Sequence, residues 1–280
     1  MKKIFSIVAV ACATVCLFSS CCGEKKIGLQ LYSVNQDMKD VDASLAKVAA
    51  AGYNVVETLR SPECFGLPAA EFKALCDKHG LKIVSTHHSI GMNPEKEAEI
   101  MEQWKEVFKG LNVMGAKYCV IPSFKLGETL EDLKAVCDYF NKVGALAKEY
   151  GLKLGYHNHS FEYEVVDGQV KWEYMIENTD PESVFFQMDV YWVVMGKASP
   201  VDYFKRYPGR FKLLHVKDRA EIGHSGMVGF DAIFNNADIA GVEGYVVEVE
   251  GCRNEAALDG IRTSAEYTLS APFIKSSYAE

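Results

Sequence analysis

Positive charge is scarce in this chain, and nowhere does it gather. Its 30 Lys and Arg are outnumbered by 38 Asp and Glu, for a formal net charge of −8. With no basic stripe to meet phosphates, a nucleic-acid partner is disfavoured, and an endonuclease role with it. Cys-x-x-Cys spacing is missing too. Past the first residues the cysteines are Cys64, Cys76, Cys119, Cys137 and Cys252, odd in number and mostly within apolar segments. That argues against a zinc finger or a disulfide framework and for buried thiols. No Pro/Gly/Ser-rich linker and no charge block divides the chain, so a single domain is expected. No Gly-x-Gly-x-x-Gly follows an apolar run, which removes the main sign of a dinucleotide-binding sheet.

What is present begins with an export leader. "MKKIFSIVAVACATVCLFSSCC" carries Lys2 and Lys3, an apolar run from Ile4 to Phe18, and small residues before Cys21. This is the layout of a secretory signal. The run is shorter than the roughly 20 apolar residues of a membrane span. "LFSSC" resembles a bacterial lipobox, so Cys21 is the expected lipidation site. Residues 1–21 are then a lipoprotein signal peptide and 22–280 one catalytic domain, periplasmic or at the cell surface. Contact with the membrane would run only through the N-terminal anchor. A plainly secreted or uncleaved segment is the alternative.

The body has one repeating pattern: a helical segment ends in Gly and an apolar strand follows. "AAAGYNVVETL", "DKHGLKIVSTHHS", "NVMGAKYCVIPS", "KEYGLKLGYHNH" and "GVEGYVVEVEG" all show it. Gly is favoured just past a helix because it accepts positive φ, and near-continuous apolar runs suit strands covered on both faces. The expected strands are Ile27–Val34, Tyr53–Leu59, Leu81–His88, Tyr118–Ser123, Leu152–His159, Val184–Tyr191, Phe211–Lys217 and Tyr245–Glu250. Helical patterns fall at Ala43–Ala51, Pro68–His79, Pro94–Val113, Thr129–Tyr150, Pro200–Tyr207, Phe230–Ala240 and Glu255–Leu269, with Thr129 a natural N-cap. This is the arithmetic of an α/β (β/α)8 TIM barrel; an open doubly wound sheet is second. Asp167-Gly168 predicts a two-residue hairpin turn, forming a small β-hairpin flap after strand five.

Chemistry in such barrels sits where the strands end. There the sequence places Glu57 and Arg60, His87 and His88, His157-Asn158-His159 followed by Glu162, Asp189, His215 and Lys217, and Glu248 and Glu250. Strand side chains alternate, so His157 with His159, His215 with Lys217 and Glu248 with Glu250 share faces. Their apolar neighbours face the helices, which leaves the polar partners to the barrel axis. A lone Asp or His at a strand end is ordinarily a satisfied structural residue. Asp, His and Glu at the same end of successive strands point instead to a divalent-metal pocket for Mn, Mg, Co or Zn.

The motifs "GLQLYSV", "GYNVVE", "YHNHSFEYE", "FFQMDVYWVVMGKASPVDYFKRYPGRFKLLHVKD" and "GYVVEVE" resemble the sugar phosphate isomerase/epimerase family of xylose isomerase-like TIM barrels. The resemblance implies one divalent ion held by Glu, Asp, His and Glu from strands five to eight. Asp189, His215 and Glu248 match that set. At strand five His157 stands where relatives carry Glu, so Glu162 is the expected fourth ligand and His157 the alternative. The implied chemistry is proton removal beside a sugar carbonyl. Glu248 or Glu162 would serve as base and His87, His159 or Lys217 as acid; an ion pair with Asp218 or Glu250 is the other reading of Lys217. His157, Asn158, Glu57, Tyr32 and Trp192 are the candidate substrate contacts. Stacking of Tyr32, Tyr191, Trp192 and Phe161 on a pyranose competes with ordinary rim packing.

An exported protein meets free sugars and glycosides, and no Gly-rich phosphate loop stands out. The small-molecule partner is therefore expected to be a sugar or keto-glycoside. The expected activity is a 3-keto-glucoside 1,2-lyase or a 2-hydroxy-3-keto-glycal hydratase, of a keto-glycoside lyase/hydratase-like lipoprotein branch. An isomerase or epimerase of free ketoses and a non-catalytic sugar-binding lipoprotein are the alternatives.

Overall fold

A computed structural model describes residues 25–252 and 256–278; the leader and Cys21 lie outside them. Eight parallel strands close into a barrel: β1 Gly28–Gln30, β2 Val55–Leu59, β3 Lys82–His87, β4 Tyr118–Ile121, β5 Lys153–His157, β6 Val184–Asp189, β7 Phe211–Lys217 and β8 Gly244–Glu248. Each strand pairs with its sequence neighbour, and β1 pairs with β8. The helices are α1 Val41–Ala50, α2 Ala69–Lys78, α3 Glu97–Met114, α4 Leu130–Glu149, α5 Lys171–Asn178, α6 Val190–Met195, α7 Pro200–Arg206, α8 Phe230–Asn235, α9 Ala237–Ala240 and α10 Ala257–Ser270. The expected TIM barrel is the observed fold.

Two cores result. The larger lies between strands and helices and includes Trp104, Phe108, Phe140, Trp172 and Phe204. A small one, Tyr118, Val120, Phe185 and Leu213, fills the lower barrel interior. Above it the inward positions are polar. The register steps irregularly between Val56 and Glu57 in β2 and between Phe186 and Gln187 in β6. Such bulges re-aim side chains next to functional sites.

Several of the sequence's boundaries shift for local reasons. The first strand does not run to Val34: after Gln30 the chain enters a 3-10 turn over Leu31–Val34, with the Gln30 side chain accepting from Tyr32 N. Strand six stops at Asp189 instead of Tyr191, because Asp189 caps α6 through Trp192 N. Strand five ends at His157 and strand eight at Glu248, short of His159 and Glu250. The Phe230–Ala240 helix is broken into α8 and α9 at Asn236. The helices α5 and α6 are additions, and so is a hairpin of Glu63–Cys64 with Leu67–Pro68.

Two local signals hold. Thr129 and Asp132 make a reciprocal capping box at the start of α4. The flap is an antiparallel pair, Val165–Val166 with Gln169–Val170, turning at Asp167 (φ 47) and Gly168 (φ 82). Positive φ at both turn residues is what a two-residue hairpin of this hand requires. Cys64, Cys76, Cys119 and Cys137 are buried thiols.

Gly110 lets α3 lie against the loop after β2. A Cβ there would stand 2.7 Å from Pro62 Cα. Ala is the better helix former by about 1 kcal/mol, but the clash is with backbone. Gly110→Ala is therefore expected to destabilise the fold by about 1–3 kcal/mol in urea unfolding. An unchanged or raised midpoint would show that the loop gives way freely.

Candidate metal centre

Register brings the polar strand ends together. Gln187 lies beside His157, Asp189 beside His215, and Lys217 beside Glu248. One nitrogen or oxygen from each of His157, Asp189, His215 and Glu248 falls within 4.8 Å of the others, and all four residues are buried. They come from the ends of β5, β6, β7 and β8.

Asp189 is fixed twice over. Its Oδ1 accepts from Trp192 N at 2.9 Å, and its backbone N–H donates to Asn158 Oδ1 at 2.9 Å. Asn158 Nδ2 in turn donates to the Asp189 carbonyl at 3.3 Å. The other carboxylate oxygen, Oδ2, is buried without a hydrogen-bond partner. His215 repeats the pattern. Its Nε2 meets Glu57 Oε1 at 2.7 Å, while Nδ1, 3.5 Å from Glu248 Oε2, is buried and makes no hydrogen bond. An orphaned buried polar atom costs roughly 1–3 kcal/mol. Here two of them, a carboxylate oxygen and an imidazole nitrogen, belong to one cluster.

Beneath the cluster sits Glu57, fully buried. Its carboxylate accepts from Gln30 Nε2 (2.7 Å), Ser85 Oγ (2.5 Å), Gln187 Nε2 (2.8 Å) and His215 Nε2 (2.7 Å), with His87 Nε2 at 3.0 Å. His157 Nδ1 lies 3.1 Å from Gln187 Oε1. With the outer nitrogens turned downward, His215 Nδ1 and His157 Nε2 are left facing the cluster. This is the way outer hydrogen bonds set the tautomer of a ligating histidine.

The charges follow. Burial pushes the Glu57 carboxyl up, but the His87 and His215 imidazoles outweigh it and hold it well below its usual range. Burial opposes the charged form of His215, yet Glu57 and Glu248 raise it to about 10. Glu248 is kept far below its ordinary value by His215 and Lys217 despite burial. Burial lifts Asp189 to about 7, only partly opposed by Lys217. Burial depresses His157, with His215 and His87 adding to it.

Several sequence candidates land elsewhere. Glu162, the expected fourth ligand, is outside the cluster: Tyr156 Oη donates to its Oε1 at 2.7 Å and His159 N to its Oε2 at 2.8 Å. The 3-10 turn Phe161–Tyr163 carries it there, and His157 takes the place instead. Glu57 and Asn158 are too deep for substrate; one braces His215 and the other clamps Asp189. Lys217 is an ion-pair residue, 2.7 Å from Glu250 and 3.3 Å from Glu248. Burial lowers its pKa, but these carboxylates and Asp189 raise it above the ordinary value, the reverse of an easily lost proton. Asp218 turns instead to Arg219 N and Ser225 N.

Above the cluster opens a cavity of about 570 Å³, with His87, His157, His159 and Glu248 at its base and Tyr32 and Arg60 at its rim. Tyr32 is 49% exposed. Trp192 packs 5.6 Å from the His159 ring. The other mouth of the barrel holds a smaller cavity of about 250 Å³ between Lys82, Tyr118 and Tyr245, away from the cluster. Gln187, which joins Glu57 to two histidines, escaped the sequence reading. Its signal was there: it precedes Asp189 by two residues and so shares its inward face.

The xylose isomerase-like TIM-barrel family matches residues 45–271. A sugar phosphate isomerase/epimerase from Parabacteroides distasonis superposes with a TM-score of 0.86 at 36% identity, over 92% of this chain and 98% of that one. An inosose dehydratase from Bacillus cereus is 26% identical over 263 residues, 77% of this chain and 86% of the relative. The IolI protein, solved with a zinc atom, shares the fold with a TM-score of 0.66 at 16% identity, over 87% of this chain and 96% of that one.

Because the folded state holds the His215 proton up to about pH 10, that interaction stabilises the chelator-treated protein fully below pH 6.5 and is lost as pH rises from 6.5 to about 10. Unfolding free energy should fall across that window. Glu57→Gln should flatten the slope and cost about 3–5 kcal/mol, since it strips one partner from a buried charge pair. A wild-type profile without the slope would contradict the ion pair.

Proposed function

The chain belongs to the xylose isomerase-like TIM-barrel family, and from that premise we propose a divalent-metal-dependent enzyme that removes a proton beside the carbonyl of a keto-sugar. The observation that carries this reading is the pair of orphaned buried atoms, Asp189 Oδ2 and His215 Nδ1, in one four-residue cluster. His157, Asp189, His215 and Glu248 would hold the ion. An imidazole and carboxylate set without thiolate suits Mn, Co, Mg or Zn. When bound, the ion supplies Lewis-acid polarisation of a ketone oxygen.

The rest falls to the chain's own side chains. His159 lines the cavity, and its Nδ1 makes no hydrogen bond, so its ring is available to take a proton. A positioned base of this kind contributes roughly 10²–10⁴-fold. Lys217, buried between Glu248 and Glu250, keeps both carboxylates compensated and so available at neutral pH. His87 is held by Glu57 and Gln187 at the cavity floor, where it orients rather than transfers. Tyr32 and Trp192 offer aromatic faces near the mouth.

The reaction we favour expels or adds a group β to the ketone, as a 3-keto-glucoside 1,2-lyase or 2-hydroxy-3-keto-glycal hydratase. The dehydratase relatives support an elimination or its reverse. The Parabacteroides relative supports a second reading, isomerisation or epimerisation of a free ketose at the same site. We further propose that Cys21 carries a lipid anchor and that the enzyme works outside the cytoplasm.

Incubation with a 3-keto-glucoside and with free ketoses, with and without chelator, separates the readings. Aglycone release that stops on chelation and returns with Mn²⁺ or Co²⁺ is expected, and Asp189→Ala should lower it at least 10³-fold. Epimer formation without aglycone release would favour the second reading. Sugar binding without turnover, unchanged in Asp189→Ala, would leave a non-catalytic binding protein. Labelled fatty acid should enter the wild type and not Cys21→Ala; labelling of both would remove the anchor.

A further inference from the structure

Arg60 holds a backbone conformation that arginine rarely adopts. Its φ is 66°, in the left-handed region, at a cost of order 1 kcal/mol for a residue with a Cβ. Three other non-glycine residues share positive φ. Phe65 and Asp167 sit in hairpin turns and Lys197 just past the end of α6, where local geometry accounts for them. Arg60 sits in no hairpin and at no helix end. It follows directly on β2 at the C-terminal mouth of the barrel.

Buried neighbours hold the strain in place. Arg60 N–H donates to His87 O at 2.8 Å, and its carbonyl accepts from Thr86 Oγ1 at 2.8 Å and from Cys64 Sγ at 3.4 Å. Thr86 and Cys64 are fully buried. The outcome of this arrangement is an exposed arginine among the residues that line the 570 Å³ cavity above the cluster. Among the described residues that guanidinium pairs with no carboxylate. His88, Ser89 and Ser123 line the cavity beside it, and none of them is acidic.

We propose that Arg60 binds a carboxylate carried by the sugar, so that the substrate is a keto-sugar acid or its glycoside. This rests on the reading of the cavity as a sugar site. The planar guanidinium fork matches the two oxygens of a carboxylate. A phosphate dianion suits the cavity less well. Glu248 and Glu250 share the cavity and would repel it, and among the described residues that line it Arg60 is the one arginine or lysine. Backbone strain at a residue that lines a cavity is the pattern expected where strain serves binding.

Calorimetric titration of the metal-loaded protein with D-glucuronate, D-glucose and D-glucose 6-phosphate tests this. Glucuronate should bind at least about 10-fold more tightly than glucose and more tightly than the phosphate. Arg60→Gln should bring glucuronate down to the affinity of glucose, and Arg60→Lys should keep part of the difference. Arg60→Gly, which relieves the strain, should raise Tm by about 2–4 °C while losing the preference for glucuronate. Equal or undetectable binding of the three sugars by wild type, tighter binding of the phosphate, or a preference that survives Arg60→Gln would each overturn the proposal. If 3-keto-glucosides turn over but Arg60→Gln shows no effect on binding, the carboxylate is wrong and the enzyme reading stands. If glucuronate preference depends on Arg60 in a protein that holds no metal, the reverse holds.

Discussion

A closed barrel excludes water from its axis, and any charge placed there must be answered by another charge or by a hydrogen bond. Glu57 is the group on which this constraint acts hardest. It lies at the middle of β2, with no exposure to solvent, and takes hydrogen bonds from three neighbouring side chains besides its contacts with two histidines. Those donors are thereby committed. His215 must present Nδ1 upward, and Gln187 must turn its oxygen to His87 and His157. The upper layer of cluster atoms inherits its orientation from the lower layer of bonds.

The same logic explains why the cluster is unfinished. Every hydrogen bond that Asp189 and His215 can make to the protein is made on the side away from the cavity, by Trp192, Asn158 and Glu57. What remains faces the cluster and has no partner. Seven other buried side-chain atoms lack a hydrogen-bond partner among the described residues, but these two belong to one four-residue cluster of imidazoles and carboxylates that could hold a metal ion. Lys217 compensates the acids at and just past the end of β8, 3.3 Å from Glu248 Oε2 and 2.7 Å from Glu250 Oε2.

Much of this was written in the sequence and some was not. Glycine at helix ends, near-continuous apolar runs and their count were enough for the barrel, and period-two alternation was enough to turn His157, His215 and Glu248 inward. Alternation says nothing about depth. Glu57 and His87 both read as strand-end residues, yet Glu57 sits beneath the cluster, because the irregular step in β2 and the short strand β1 set levels that only pairing reveals. Glu162 was misplaced for a related reason. Its distance along the chain allows a ligand, but the 3-10 turn after His159 sends its carboxylate to Tyr156. The expected strand six ran on through Val190 and Tyr191, whereas Asp189 ahead of them is an N-cap, and that signal outweighs their apolarity.

The most direct trial of the account is anomalous diffraction from crystals of the protein grown with Mn²⁺, recorded at the manganese edge. One strong peak is predicted, within bonding distance of His157 Nε2, Asp189 Oδ2, His215 Nδ1 and Glu248, with Glu162 still bonded to Tyr156. No peak at that point, or a peak held by Glu162 in place of His157, would contradict it.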